Sequence, residues 1–216
     1  MARSDSKQRR RILDAAISVF AEEGLPGATI RRVGQRAGVN SALIYYYFED
    51  KRTLFADAVR LVMEGFLEHV VSGRRDFRGA RDRLSFLVNS AMDYYTRHAD
   101  RMHLMAVAFS LYPDILGRVL SAFLREHAAV PVEIIRDGVE CGDLRDVSPV
   151  HAWWSILGLC LFSLNMKEIM QHAELGGVPF ESFDPDERKS HVLDLLMRGM
   201  ARGAGGGPKS RRRGNS

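Results

Sequence analysis

Apolar residues recur at helical spacing along almost the whole chain, and the alternation that is typical of strands is absent. In the first quarter of the chain the spacing predicts helices that begin near residues 7, 29, 40 and 51. Thr29, Asn40 and Asp50 stand where side-chain oxygens cap helices, and Gly24 and Gly38 stand where helices end. The chain is therefore predicted to begin with short helices that are joined by tight turns.

The rest of the chain also predicts helices only. The predicted segments are about residues 80–98, 102–109, 113–138, 148–171 and 185–201, with a loop over residues 176–184. Pro131 should kink or split the third of these segments, because proline lacks the backbone donor that a helix interior needs. The predicted fold class is all-α.

The helix that follows Asn40 has two different faces. At 100° per residue Ile44 and Phe48 point to one side, whereas Ala42, Tyr45 and Tyr46 point to the other. The first side can pack on neighbouring helices. The second side combines a small residue, which permits close approach, with phenol hydroxyls that can reach phosphate oxygens or base edges.

Two helices that meet at a glycine, the second with such a polar face, are typical of a helix–turn–helix, which places its second helix in the major groove of DNA. Asn40 and Ser41 lie at the entrance of that helix, where base contacts are usual. Thr29 and Lys51 begin the flanking helices, whose N-termini favour phosphate oxygens, and Arg31 extends from the same region. This segment is therefore a candidate DNA-binding site.

Residues 9–55 resemble the DNA-binding domain of the tetracycline-repressor (TetR) family. The shared residues are, in chain order, Ile12-Leu13-Asp14-Ala15-Ala16, Phe20, Gly24, Thr29-Ile30, Ala37-Gly38-Val39, Ile44-Tyr45, Tyr47-Phe48, Lys51 and Leu54-Phe55. One position departs from the family pattern, since Gly34 stands where alanine is common, and glycine should weaken the second helix by roughly up to 1 kcal/mol. Beyond residue 60 the resemblance is limited to length and helix order.

This resemblance implies an all-helical homodimer, with an N-terminal three-helix helix–turn–helix domain and a C-terminal helical domain for ligand binding and dimerisation. It further implies a repressor that a small molecule releases from a palindromic operator. At the matching positions Thr29, Tyr45 and Lys51 would contact DNA phosphates. The residues that would face or read bases are Arg31, Asn40, Ser41, Ala42 and Tyr46.

Charge is distributed unevenly along the chain. Residues 1–52 carry a net charge of +4, residues 53–197 carry −6 and residues 198–216 carry +6. A basic end suits a polyanion, and we expect a DNA-binding domain over 1–52, an effector and dimerisation domain over 53–202 and a disordered basic tail over 203–216. The tail either contacts DNA or only aids solubility. In the first helix Arg9, Arg10 and Arg11 are likewise either solvated or within reach of the phosphate backbone.

Two C-terminal helices carry more apolar surface than one core face needs, which is typical of burial on more than one side. Pairing these helices with their symmetry mates would form a four-helix dimer interface. Its predicted residues are Trp154, Leu157, Leu161, Val192, Leu195, Leu196 and Gly199.

Methionine and aromatic residues are frequent in the other helices of the C-terminal part. They can line an adaptable apolar cavity, although each of them can instead fill a core. Candidate lining residues for a hydrophobic or aromatic effector are Phe86, Tyr94, Met102, Met105, Phe109, Phe123 and Trp153. Candidate polar anchors are His98, His103, His127, His151 and Asn165.

Motifs for a phosphate-binding loop, a zinc protease, a serine hydrolase or a redox-active cysteine pair are absent from the sequence, so neither an enzyme nor a cofactor is expected. Glu168 and His172 share a helix face, but no third metal ligand is evident. We expect free thiols at Cys141 and Cys160 and a cytoplasmic protein without a membrane partner. The alternatives left open are a DNA-binding activator and a regulator that a protein partner controls.

Overall fold

The structure, a computed structural model, describes residues 2–73, 75–126, 130–171, 174–175, 178–179 and 184–202. Within these residues the elements are α1 (Ala2–Gly27), α2 (Ile30–Ala37), α3 (Ser41–Tyr47), α4 (Lys51–Ser72), α5 (Ala80–Arg97), α6 (Ala99–Leu111), α7 (Pro113–Glu126), α8 (Val130–Glu140), α9 (Pro149–Gln171), β1 (Glu174–Leu175), β2 (Val178–Pro179) and α10 (Pro185–Met200). The all-α fold class, with an N-terminal helix–turn–helix and a helical C-terminal domain, is confirmed.

A short antiparallel ladder pairs Glu174 with Pro179 and Leu175 with Val178. Two residues per strand are too few for an alternating pattern, so the sequence could not indicate this ladder, and the all-α fold class is unaffected. Residues 176, 177 and 180–183 of the predicted loop lie outside the described residues.

The chain divides into two compact units. The first comprises residues 1–69 and 94–128, and the second comprises residues 70–93 and 129–216. The first unit contains the whole of α1–α3, α6 and α7 and most of α4. It therefore extends past the predicted DNA-binding domain. The boundary between residues 52 and 53 stays a prediction.

The core of the first unit fixes α3 to its neighbours. Phe20 of α1 and Phe55 of α4 form an edge-to-face pair with ring centroids 5.2 Å apart. Both rings are fully buried, and Ile44 of α3 and Leu104 of α6 belong to the same cluster. Burial of each large apolar side chain contributes about 1.5–3 kcal/mol, which holds α3 in one orientation.

The first helix is longer than its predicted span of residues 7–23, since α1 runs from Ala2 to Gly27. Gly24 nevertheless interrupts it as predicted, with φ 65° and ψ 175°, and Pro26 follows in a further helical turn. The polar residues ahead of position 7 have no apolar periodicity, so the sequence pattern could not include them.

Residues 127–129, where Pro131 is predicted to kink or split a long helix, lie outside the described residues, so that prediction stays a prediction. α7 ends at Glu126 and α8 begins at Val130, which puts the proline in the first turn of α8. A missing backbone N–H has no cost there, because the first four N–H groups of a helix have no intrahelical partner.

The second unit is held by polar contacts as well as by its core. Arg83 of α5 reaches the Asp143 carboxylate (Nε to Oδ2, 3.2 Å) and donates to the backbone oxygen of Ile134 in α8 (3.2 Å). The N–H of Arg145 donates to the oxygen of Met200 at the end of α10 (2.9 Å). The Arg83 contacts join α5 to α8 and the following turn, and the Arg145 bond ties the end of α10 to the segment after α8.

Among the described residues no single helix is both long and apolar enough to cross a membrane. Asp100–Leu111 and Pro113–Arg125 meet the length and hydropathy requirements only as a pair, and the two helices are bent by 114°.

Candidate nucleic-acid interface

The helix–turn–helix is set by two capped helix starts and one left-handed turn. The Thr29 hydroxyl accepts from the N–H of Arg32 (3.1 Å), and Oδ1 of Asn40 accepts from the N–H of Leu43 (2.8 Å). Gly38 ends α2 with φ 64° and ψ 41°. The predicted caps and the predicted turn are therefore confirmed, and together they fix how α3 leaves α2.

Gly38 gives a direct test of this turn. We expect Gly38→Ala to destabilise the protein by about 1–2 kcal/mol, because residues with a Cβ rarely adopt positive φ. A methyl group would also lie 2.6 Å from Nη2 of Arg11 and would displace that side chain. Thermal unfolding followed by circular dichroism measures the change.

The matched control is Gly117→Ala in the interior of α7. Gly117 is exposed, and a Cβ added there would meet nothing within 4 Å. Alanine should raise stability by up to about 1 kcal/mol through its better helix propensity. Equal shifts in the two variants would show that the Gly38 conformation is not as described.

The outward face of α3 matches the helical-wheel prediction. Ile44 and Phe48 are buried, whereas Ala42 is exposed and Tyr45 and Tyr46 are 57% and 74% exposed. Tyrosine combines an apolar ring with a polar hydroxyl and is enriched at surfaces that meet a partner. The seven-residue helix thus presents one small and two amphipathic side chains to the outside.

The arginines of α2 differ in whether carboxylates of α1 neutralise their charge. Arg32 and Arg36 of α2 pair with Glu23 (3.1 Å) and Glu22 (2.5 Å), whereas Arg31 is exposed. The guanidinium of Arg36 lowers the pKa of the Glu22 carboxyl through its hydrogen bonds. Arg31 therefore carries the positive charge of the first turn of α2 that these two carboxylates do not neutralise.

Lys51 has a structural role that the sequence did not indicate. Its ammonium donates to the backbone oxygens of Ala28 (2.9 Å) and Pro26 (3.3 Å), and its side chain is half-buried. The start of α4 is thereby tied to the segment between α1 and α2. An ammonium has three donor hydrogens, so one remains for the predicted phosphate contact.

The next helix start is capped as predicted. Oδ1 of Asp50 accepts from the N–H of Thr53 (2.7 Å), and this backbone bond lowers the pKa of the carboxyl. Thr29, Asn40 and Asp50 therefore all use side-chain oxygens on helix N–H groups. The N-terminal turns of α2 and α4 remain at the surface on either side of α3 in sequence.

The arginines of α1 are mainly engaged within the protein. Nη2 of Arg9 lies 2.5 Å from Oδ2 of Asp57, and its guanidinium lies 5.1 Å from the centre of the Phe48 ring. Arg10 pairs with Asp14 one turn later (3.3 Å). For Arg9 these contacts favour a bracing role over the two alternatives that the sequence left open.

The predicted effector residues are distributed over both units. Tyr94, Met102, Met105, Phe109 and Phe123 belong to the first unit, and Phe86 and Trp153 belong to the second. Tyr94 is buried; its hydroxyl donates to the Val62 oxygen (3.2 Å) and accepts from Nη1 of Arg101 (3.3 Å). Burial raises the pKa of Tyr94. The effector site stays a prediction.

The polar anchors differ in accessibility. His98 is half-buried with its ring 4.7 Å from that of Tyr94, and burial, followed by the charge of Arg101, lowers its pKa. His103 and His151 are exposed. His127 and the side chain of Asn165 lie outside the described residues.

A cleft of about 380 Å³ lies between α5 and α10 in the second unit. Six of its eight lining residues are polar, and the Lys189 ammonium within it lies 2.7 Å from Asp93 and 3.0 Å from Asp186. None of the predicted effector residues lines this cleft. In the part of the chain that the structure describes, no three His, Cys, Asp or Glu side chains are placed to hold a metal ion. The side chains of Glu168 and His172 fall outside that part.

Two of the predicted dimer residues are buried within their own unit. Val192 and Leu196 are 1% and 5% exposed, which leaves them little surface for a partner. At one edge of the same apolar stripe Leu195 is 57% exposed, and Gly199, one turn later, is also exposed. The apolar stripe of this helix serves its own core on one side and is open on the other.

The matching surface of α9 is also open. Trp154 is exposed, and Leu157 and Leu161 are half-buried. A Cβ added at Gly158 or at Gly199 would meet nothing within 4 Å. Both helices therefore combine exposed apolar side chains with glycines that leave room for the close approach of another helix.

Known proteins match this chain in sequence and in fold. The family model described as bacterial regulatory proteins, tetR family, matches residues 12–58, which include every predicted DNA contact. The HTH-type transcriptional repressor NicS of Pseudomonas putida is 30% identical over 212 residues, covering 93% of this chain and 96% of its own length. An HTH-type transcriptional repressor of Streptomyces coelicolor is 32% identical over 148 residues, covering 68% of this chain and 73% of its own.

The fold is shared with the transcriptional regulator FadR of Bacillus subtilis, whose crystal structure is in complex with stearoyl-CoA. The TM-score is 0.71 at 18% identity, covering 88% of this chain and 98% of that one. At this identity the likeness concerns the fold alone.

Proposed function

The chain belongs to the TetR family of bacterial regulatory proteins, and from that premise we propose that it is a homodimeric repressor which a small hydrophobic molecule releases from operator DNA. The observation that carries the DNA-binding part is the open face of α3. Ala42, Tyr45 and Tyr46 project outward from a helix whose other side is locked in the core. A rigid short helix with a small residue in its first turn fits the width of the major groove.

In this proposal two kinds of contact have different roles. Thr29, Tyr45 and Lys51 hold phosphates and set the register, because phosphate contacts position a protein on DNA without reading its sequence. The residues that face the bases are Arg31, Asn40, Ser41, Ala42 and Tyr46. Asn40 uses Oδ1 for its cap, which leaves its NH2 group to donate to a base edge.

Dimerisation would supply the second reading head. Leu195 and Gly199 of α10 and Trp154, Leu157 and Leu161 of α9 form the proposed contact surface. A C2 pair presents two α3 helices about 34–36 Å apart, one turn of DNA, so the operator should be palindromic.

The proposed effector is apolar or aromatic. Met102 and Met105 are half-buried and Phe109 is 71% exposed, so these side chains of α6 are not all consumed by the core. A protein of the same fold forms a complex with stearoyl-CoA, whose acyl chain is apolar. These observations support the ligand class and not its identity.

Selection of bound sites from random duplex DNA tests the proposal. Successive rounds should enrich a palindrome with half-site centres about 10–10.5 base pairs apart. A panel of aromatic and acyl compounds should then contain members that dissociate the complex. Enrichment with no releasing compound would favour a regulator that a protein partner controls, and increased transcription from a promoter with the site would favour an activator.

Lys51 allows a quantitative test of phosphate contact. We expect Lys51→Gln to weaken binding to specific and random duplexes by the same factor, because the lost contact carries no sequence information. The slope of log affinity against log salt should become shallower by about 1 per protomer, or about 2 per dimer. Anisotropy titrations between low and moderate salt measure this slope.

Two controls separate charge from structure in that experiment. Lys51→Arg keeps the positive charge and should keep the slope. Lys189→Gln removes a charge from the second unit, where Lys189 is already paired with Asp93, and should leave the slope unchanged. An unaltered slope in Lys51→Gln would show that the ammonium serves only the oxygens of Pro26 and Ala28.

A further inference from the structure

The first turns of α1 contact α3, the helix proposed to enter the DNA groove. Asp5 lies in the first turns of α1, ahead of residues 12–58, the segment that the family model matches. Its Oδ1 accepts a hydrogen bond from the hydroxyl of Tyr47, the last residue of α3. The bond joins residues 42 positions apart in sequence.

Tyr47 is held at both ends of its side chain. Its ring is half-buried and lies 6.3 Å, centre to centre, from the buried ring of Phe48, while its hydroxyl is bound by Asp5. This hydrogen bond, followed by desolvation, raises the pKa of Tyr47 to about 12. Because both ends are fixed, the Tyr47 ring has little rotational freedom.

The ring of Tyr47 in turn packs against the ring of Tyr46. The two rings meet edge to face with centroids 5.0 Å apart and an interplanar angle of 81°. Tyr46 is the most exposed aromatic of α3, so a fixed neighbour limits the rotamers that it can adopt. A side chain that reads bases gains specificity when its rotamer is set before binding.

We propose that Asp5 is a positioning residue for base recognition: by holding the Tyr47 hydroxyl it orients Tyr46 toward the DNA. This inference rests on the proposed DNA-binding function. Arg9 supports the same arrangement one turn later, since it joins Asp57 of α4 while its guanidinium covers the Phe48 ring. The first turns of α1 thus act as a brace for α3.

The effect of removing Asp5 on DNA affinity distinguishes a positioning role from that of an ordinary surface carboxylate. An acidic group near a DNA-binding face repels phosphates, so removing it should tighten binding to all duplexes alike. A positioning role predicts a different result, namely a loss of discrimination between the operator and duplexes that are changed at particular base pairs.

The test compares Asp5→Ala, Asp5→Asn, Tyr47→Phe and the double variant Asp5→Ala/Tyr47→Phe in the full-length dimer. Affinities are measured for the selected operator and for duplexes with single base-pair changes. We expect Asp5→Ala to lower discrimination about 3- to 10-fold at the base pairs where Tyr46→Ala also lowers it. Asp5→Asn still offers an amide oxygen to the Tyr47 hydroxyl and should retain discrimination. In the Tyr47→Phe background Asp5→Ala should have no further effect on discrimination, and only the uniform effect of removing the charge should remain.

Glu49→Ala provides the matched control. Glu49 is an exposed carboxylate that follows α3 and should show only the uniform tightening expected from charge removal. If Asp5→Ala behaves like Glu49→Ala, the positioning role is overturned while the proposed function stands. If the folded wild-type protein binds no DNA, both fail.

A measurement without DNA checks the bond itself. Tyr47 is expected to ionise near pH 12 in the wild-type protein and near its ordinary value of about 10 in Asp5→Ala, as followed by NMR of labelled tyrosine rings. Ionisation of wild-type Tyr47 near pH 10 would overturn the proposal, because the hydroxyl would then not be held in solution.

Discussion

Ala42→Glu is expected to lower affinity for the selected operator by at least about 100-fold without loss of fold stability. Ala42 is exposed in the first turn of α3, at the point of the proposed closest approach to the groove floor. A carboxylate there would face base acceptors and phosphates, and like charges brought together cost several kcal/mol. About 2.8 kcal/mol corresponds to a factor of 100.

The fold should tolerate this change for a separate reason. An acidic residue in the first turn of a helix is favoured by the helix dipole by about 0.3–1 kcal/mol. The melting temperature should therefore stay constant or rise, as circular dichroism can show. Ser121→Glu places the same charge at an exposed position of α7 and serves as the control. A comparable loss of binding in both variants would mean that total charge, and not the location of α3, is responsible.

The second large effect is expected for Leu195→Arg, which should convert the protein to monomers and reduce operator affinity by on the order of 100- to 1,000-fold. Leu195 lies on the open side of α10, and an arginine there would place two buried like charges at a C2 interface. A monomer has one reading head, so it loses the gain from linking two half-sites, which is commonly 10²–10⁴-fold. Sedimentation and anisotropy measure the two effects.

Leu111→Arg is the matched control for this variant. Leu111 ends α6 and is 64% exposed, close to the exposure of Leu195, but it lies outside the proposed interface. It should sediment as a dimer and keep its DNA affinity. A dimer that survives Leu195→Arg, or a monomer produced by Leu111→Arg, would place the interface elsewhere than α9 and α10.

Local sequence patterns predicted most of the helix–turn–helix correctly. The capping oxygens of Thr29 and Asn40 and the left-handed Gly38 act within three or four residues, so the sequence is sufficient to place them. The two faces of α3 follow from helical periodicity, which separates Ile44 from Tyr45 in an isolated helix as well as in the folded unit. Contacts of short range are therefore visible in sequence.

Long-range use of a side chain was not visible. Lys51 donates to backbone oxygens 23 and 25 residues earlier, and nothing in the local pattern around it distinguishes this role from phosphate binding. The same holds for Asp5, which stands in a polar stretch without periodicity and finds its partner in α3. Such pairs depend on how α1 crosses the other helices, which periodicity alone does not specify.

The apolar stripe of α10 illustrates another limit. Val192, Leu195 and Leu196 are all predicted as interface residues from sequence, because a helix covered by apolar residues gives no indication of which side meets its own core. The structure assigns Val192 and Leu196 to the inside and Leu195 to the outside. Tertiary packing is needed to make that division.

The central claim is that α3 lies in the groove of double-stranded DNA, and NMR of the backbone amides on addition of the selected duplex tests it most directly. We predict that the largest shifts fall on Ser41–Tyr47 and on the first turns of α2 and α4. Unchanged resonances for Ser41–Tyr47 in a saturated complex, or a folded protein with no affinity for duplex DNA at low salt, would contradict the claim.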